Sequence, residues 1–209
     1  MFTKENIEFI RGVLPKFDGE LGALQQSALK EGVPIIPHET ARFLAFLIGL
    51  IKPESILEIG TAVGFSAVLF NKFAPEAKIT TIDRYEYMIK KAKENFMGID
   101  NIRLLEGDAA EILPGLKEEF DFIFLDAAKA QYINYLPEIM RLLKTGSVFA
   151  ADDVLMAGGV MNLRCEVPRR QRTIHQRLGD FLIEINSRED LETSLLPIGG
   201  GLAVCRKKW

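Results

Sequence analysis

Cysteine is scarce in this chain of 209 residues: Cys165 and Cys205 are the only two. They lie far apart and form no CxxC pair, which excludes a disulfide-stapled scaffold and suits a reduced compartment. Long apolar runs are also missing. The longest, Phe43–Ile51, falls far short of the roughly 20 residues that span a bilayer, so no membrane partner is expected. The N-terminus MFTKENIEFI carries charge where a signal peptide needs its apolar core, which points to a cytoplasmic protein. Nor is positive charge in excess: 26 Lys and Arg against 29 Asp and Glu leave a formal charge of −3. Nothing draws the whole protein to nucleic acid or to an anionic membrane, so any such binding needs a local patch. No internal repeat, low-complexity tract or linker interrupts the chain. A single domain over 1–209 is expected, with N-terminal helices in 1–52 ahead of a core in 53–209.

What is present begins with two helical segments in 2–31, broken near Gly12–Pro15. Pro34 and Pro37 then precede a helix over His38–Ile51 that is apolar nearly all round. From position 55 the pattern alternates. Strands are predicted at Ser55–Ile59, Lys78–Ile82, Ile102–Glu106, Asp121–Leu125 and Ser147–Ala151. Helices are predicted at Val63–Phe73, Arg84–Phe96, Ala109–Leu113 and Tyr132–Leu143. Such βα repetition gives a doubly wound, mostly parallel sheet. A helix over about 169–187 follows. Two strands, Leu191–Leu196 and Leu202–Arg206, then flank Pro197 and three glycines as an antiparallel hairpin, bringing the sheet to seven strands.

Two apolar runs end in acid. FDFIFLD closes on Asp126, and VFAADD closes on Asp152 and Asp153. Buried parallel strands of this kind open at their C-terminal tips onto a site. Three carboxylates brought together there need a cation or a proton, and an all-oxygen set suits Mg²⁺. The first βα turn, ILEIGTAVGFS, has Gly60 and Gly64 but is no dinucleotide fingerprint. Ala62 and Phe65 stand where GxGxxG needs glycine for pyrophosphate approach and helix packing. A phosphate-free adenosine ligand fits better. Asp83, at the end of ITTID, is placed to accept from ribose hydroxyls. Gly107, Asp108 and Ala109 would flank the adenine, and Glu58 could meet a cationic amine.

Together these segments resemble the S-adenosylmethionine-dependent O-methyltransferases of the catechol and caffeoyl-CoA type, over nearly the whole stretch from Pro34 to Val204. The match rests on ILEIGTAVGFS, Asp83, EGDA at Glu106–Ala109, FLDAAK at Phe124–Lys129, and the closing PIGGGLAV. The resemblance implies a Rossmann-like methyltransferase. Ile36, Glu58, Gly60, Thr61, Ser66, Asp83, Gly107, Asp108 and Ala109 would line the methyl donor, with Gly64 in the same turn and Asp126 at its inner edge. Asp126, Asp152 and Asp153 match the metal ligands and Lys129 the catalytic base. Asp153 departs from the Asn common in the family, and its extra charge admits Mn²⁺ or Ca²⁺ beside Mg²⁺. Lys129 would act as a base if a nearby cation depresses its pKa, or else would simply neutralise the acids.

Five arginines, Arg164, Arg169, Arg170, Arg172 and Arg177, fall within fourteen residues holding one acid, Glu166. Three sit near a helix start, where cations are unfavourable unless an anion binds. A phosphate-bearing substrate is implied, RNA first, against a solvated face paired with acids elsewhere. VPRRQRTIHQRL and PIGGGLAV resemble one bacterial branch of the family, which methylates the 5-hydroxyl of 5-hydroxyuridine at the tRNA wobble position. The expected partner is therefore a tRNA anticodon loop. The alternatives are a small phenolic substrate such as a catechol or an acyl-CoA phenol, and a non-catalytic RNA-binding protein of this fold. The apolar helix His38–Ile51 also makes a homodimer the expected assembly.

Overall fold

The computed structural model describes residues 4–163 and 165–209. Three helices open it: α1 (Lys4–Val13), α2 (Gly19–Lys30) and α3 (His38–Ile51). Pro37 stands just before α3 at φ −57°. The alternating region follows as β1 (Ser55–Ile59), α4 (Phe65–Phe73), β2 (Lys78–Asp83), α5 (Glu86–Asn95), β3 (Ile102–Glu106), α6 (Ala109–Ile112), β4 (Phe120–Leu125), α7 (Tyr132–Leu142) and β5 (Leu143–Ala151). The chain ends with α8 (Arg172–Ser187), β6 (Leu191–Leu196) and β7 (Leu202–Lys207).

The seven strands lie in the order β3-β2-β1-β4-β5-β7-β6. Pairing is parallel from β3 to β5 and antiparallel where β7 meets β5 and β6. This is the Rossmann-like α/β arrangement expected, with one detail that spacing alone does not give: the second strand of the hairpin, not the first, joins the sheet interior. Composition accounts for it. β7 buries Leu202, Ala203 and Cys205, whereas β6 buries only Leu191, as an edge strand can.

The central strands are apolar on both faces because both faces are covered. In β4, Phe122 and Phe124 pack with α3 and α4, while Ile123 and Leu125 pack with α7 and α8. Strand β5 begins at Leu143, earlier than expected, because Leu143 pairs with Phe120 across an irregularity in the register. Among the described residues no helix is long and apolar enough to cross a membrane.

This topology brings five parallel tips, Ile59, Asp83, Glu106, Leu125 and Ala151, to one edge. Pairing of Ala151 with Ala203 brings the 197–201 turn there as well.

Candidate active site

The turn after β1 is closed by a bond from Gly64 N–H to Thr61 O at 2.8 Å and held further by its neighbours. Gly60 stands at φ +104°, and its N–H donates to Ile82 O at 2.9 Å. A Cβ there would lie 2.1 Å from the carbonyl oxygen of Asp126, so β1 and β4 approach as only glycine allows. Ala62, at the position where a fingerprint has glycine, takes the left-handed conformation anyway, at φ +45°. Asp83 stabilises it: one carboxylate oxygen accepts from the N–H groups of Thr61 and Ala62, at 3.1 and 2.8 Å, and the other from Tyr85 N–H at 2.9 Å. Asp83 is thus first a clamp on the turn, with lone pairs left for a ligand. Asp108 likewise caps α6 by accepting from Ala110 N–H at 2.9 Å, and Arg84 donates to it at 2.6 Å. The Ala110 N–H and then the Arg84 guanidinium hold its carboxyl below the usual range.

These groups surround a cavity of about 580 Å³. Ile36, Gly60, Thr61, Ser66, Asp83, Gly107, Asp108 and Ala109 line one part of it; Asp126, Lys129, Asp152 and Asp153 line the other. Two expected residues do not reach it. Gly64 turns toward α5, where a Cβ would meet the ring of Phe96. Glu58 is wholly buried behind the wall, accepting from the hydroxyls of Ser66 and, at 2.5 Å, Thr81. The expected contact between Glu58 and a ligand amine is therefore corrected. Position 58 lies one residue inside the strand tip, and its side chain is spent on hydroxyls of α4 and β2. Burial pushes its pKa up to about 8 against those two hydrogen bonds, with Asp126 and Asp83 adding to the rise.

At the acidic end, Lys129 donates to Asp126 Oδ1 at 2.6 Å and to Tyr132 Oη at 2.8 Å. Tyr132, which sequence reasoning missed, is completely buried and bridges the tips. Its hydroxyl lies 3.1 Å from both Leu125 O and Asp152 O. Its position three residues after Lys129, on the same helical face, was the available signal. Burial would lower the Lys129 ammonium, but Tyr132 and the Asp126 carboxylate outweigh it and hold it well above its ordinary range. In this arrangement Lys129 is the counter-charge of Asp126; a depressed pKa is expected only with a cation beside it.

Burial, then the charge of Asp126, pushes Asp152 up to about 7, with Lys129 opposing. Its Oδ1 is buried without a hydrogen-bond partner. Asp153 is also raised by burial, with Lys129 opposing and Asp126 adding. It stands at φ +57° with its side chain against Gly200, where a Cβ would lie 1.9 Å from Oδ1.

Among the described residues, no three His, Cys, Asp or Glu side chains are disposed as a ready cation site. The three carboxylates line one cavity, but the Lys129 ammonium pairs with Asp126. The orphaned Asp152 oxygen and the all-oxygen set still fit a hard divalent ion, provided Lys129 gives up Asp126.

The arginine segment divides. Arg164 lies outside the described residues. Arg172 donates to Val167 O at 3.0 Å and Arg177 to Ala130 O at 3.2 Å, so these two brace the backbone. Arg169 and Arg170 are exposed, in a short turn leading into α8. None of these four described arginines lines the cavity, but α8 packs against the Lys129–Gln131 turn and against residues 156–161 beyond the acids.

Comparison with known proteins agrees with this geometry. The profile of a family described as O-methyltransferase matches residues 21–208. A caffeoyl-CoA O-methyltransferase from Medicago sativa is 33% identical, over 81% of this chain and 73% of its own. Tapetum-specific methyltransferase 1 of Arabidopsis thaliana is 31% identical, over 82% and 77%. Among solved structures, a candidate caffeoyl-CoA O-methyltransferase from Staphylococcus aureus superposes with TM-score 0.90 at 29% identity, covering 98% of this chain and 100% of that one. The SAH-bound methyltransferase PaMTH1 of Podospora anserina shares the fold at TM-score 0.88 and 24% identity, covering 100% and 98%.

Proposed function

The chain belongs to the S-adenosylmethionine-dependent O-methyltransferase family of the caffeoyl-CoA type, and from that premise we propose that it methylates the 5-hydroxyl of 5-hydroxyuridine at the tRNA wobble position. The observation that carries the methyl-transfer reading is one cavity joining the Gly60–Asp83–Asp108 wall to the acids and Lys129. S-adenosylmethionine supplies an electrophilic methyl group on a sulfonium. Ile36 and Ala109 would flank its apolar parts, and the free lone pairs of Asp83 would accept its ribose hydroxyls.

A divalent ion held by Asp126, Asp152 and Asp153 would lower the pKa of the acceptor hydroxyl and fix its two adjacent oxygens. Lys129 could take the hydroxyl proton only as the neutral amine, so it would first have to leave Asp126 and lose its own proton, which a cation on the acids would favour. Tyr132 keeps its nitrogen within hydrogen-bond reach of the strand tips.

The tRNA reading is supported by Arg169 and Arg170, exposed in the short turn that leads into α8, at a helix start that favours anions. The 5-hydroxyl and 4-carbonyl of the base form the adjacent oxygen pair, and an anticodon loop offers an unstacked base. The second reading, a small catechol-like or caffeoyl-CoA-like acceptor, is favoured by the relatives named caffeoyl-CoA O-methyltransferase. The homodimer remains part of the proposal, because Phe46 and Leu50 of α3 are 66% and 67% exposed.

Nucleoside mass spectrometry tests the acceptor. Purified protein with donor and Mg²⁺ should convert 5-hydroxyuridine in tRNA to 5-methoxyuridine, and Arg169→Glu with Arg170→Glu should weaken tRNA binding while sparing donor binding. Methylation of a catechol with none of the tRNA selects the second reading, and methylation of neither overturns both.

A further inference from the structure

Among the described residues, Glu58 is the wholly buried carboxyl that the mechanism above leaves unused. It has no path to the cavity of its own, yet two hydroxyl relays connect it to the wall. One runs from Oε1 to the hydroxyl of Ser66, which lines the cavity. The other runs from Oε2 through Thr81 to Thr61, each step 2.5 Å, and Thr61 also lines the cavity. Every polar neighbour of the carboxyl is a hydroxyl, which can reverse its donor direction without moving a heavy atom. An ionised Glu58 commits the hydrogens of Ser66 and Thr81, so that the wall presents lone pairs. A protonated Glu58 donates to one hydroxyl, and that hydroxyl is then free to donate into the cavity.

We propose that Glu58 is a positioning residue whose ionisation is coupled through these hydroxyls to the charge of the ligand in the cavity. The protein then gives up a proton to solvent when it takes up the sulfonium donor, and regains it when the thioether product takes the donor's place. This rests on the reading of the cavity as the methyl-donor site. The charges follow from the ligands. The donor carries a sulfonium, an ammonium and a carboxylate, and so is a net cation; the product has lost the sulfonium charge and is net neutral. A cation behind a thin wall of hydroxyls favours the ionised carboxyl, and a neutral ligand does not.

The surroundings bias the free protein the other way. Of the elements packed on β1, β2 contributes Asp83 and β4 contributes Asp126, both negative and both disfavouring a further charge. The only charged side chain of α4, Lys72, pairs with Asp18, and Glu39 of α3 pairs with Arg11. The charged groups that act on Glu58 are the acids Asp126 and Asp83, not a cation, and its pKa of about 8 leaves it largely protonated at neutral pH.

Isothermal titration calorimetry of the intact protein, repeated near pH 7.5 in phosphate and in Tris, counts the protons exchanged on binding. The expected result is release of most of a proton per S-adenosylmethionine bound, and far less with S-adenosylhomocysteine. Glu58→Gln keeps the shape and hydrogen bonds but cannot ionise, and should abolish the Glu58 share of the release. Proton changes on the ligand's own amine are common to both proteins and cancel in the difference. Thr81→Val removes a hydrogen bond that favours the ionised form, and should move the midpoint of proton release to higher pH. Equal proton counts in wild type and Glu58→Gln, or a midpoint unmoved by Thr81→Val, would overturn the inference. Failure of either ligand to bind at all would instead overturn the donor-site reading beneath it.

Discussion

Replacing Gly60 with alanine puts the hinge between the two halves of the cavity under test. The residue stands at φ +104°, where a side chain costs about 1–2 kcal/mol. The added methyl would lie 2.1 Å from Asp126 O and 2.7 Å from Asp126 C. Both are backbone atoms immediately after the interior strand β4 and cannot rotate aside, so relief requires moving the β4 tip. Overpacking of this kind costs about 1–3 kcal/mol more, giving a total of about 2–5 kcal/mol. For a domain of this size each kcal/mol lowers the melting temperature by roughly 2–4 °C, so a loss on the order of 10 °C is expected. Because the displaced tip carries Asp126, donor affinity should fall by at least about tenfold, equivalent to about 1.4 kcal/mol.

Gly64→Ala is the comparison. It shares the positive φ, at +85°, but its methyl would meet the ring of Phe96, a side chain outside the cavity that can shift. Thermal unfolding and calorimetric binding of S-adenosylhomocysteine should show both variants destabilised and only Gly60→Ala impaired in binding. Equal loss of affinity in the two, or an unaltered Gly60→Ala, would refute the reasoning.

Two further outcomes concern the titrating groups. Burial raises Glu58 from 4.5 to about 8, so the folded chain keeps a proton that the unfolded chain has lost. Stability should therefore fall as pH rises from about 4.5 to 8, by up to about 5 kcal/mol from this group. Asp152 adds a loss of the same sign up to about pH 7; urea unfolding across this range should find the slope reduced in Glu58→Gln, and an unchanged slope would contradict the assignment. Lys129→Ala should lower single-turnover methyl transfer by at least about 100-fold with donor binding within a few-fold. Retained turnover would reduce Lys129 to a counter-charge.

The alternation of strands and helices and the place of the cavity were legible because they follow from periodicity and from the rule that parallel tips face a site. What sequence could not give depends on which neighbour a side chain finds. Glu58 reads as a ligand-facing acid, but the sheet register sets it opposite Thr81, and α4 supplies Ser66. Lys129 reads as a base or a counter-charge, but that it sits on both Asp126 and Tyr132 comes only from the fold. Of the arginines, sequence shows an uncompensated cluster; the fold spends Arg172 and Arg177 on backbone carbonyls and leaves Arg169 and Arg170 exposed. Ala62 shows the same limit at the backbone. Its left-handed conformation is imposed by Asp83, more than twenty residues away in sequence.

The account stands most directly on a structure of the protein grown with S-adenosylhomocysteine and Mn²⁺, with anomalous scattering used to find the metal. It predicts the product over Gly60 and Asp83, one anomalous peak bonded by Asp126, Asp152 and Asp153, and Lys129 moved off Asp126. Product bound outside this cavity, or Lys129 still on Asp126 with no anomalous peak there, would contradict it.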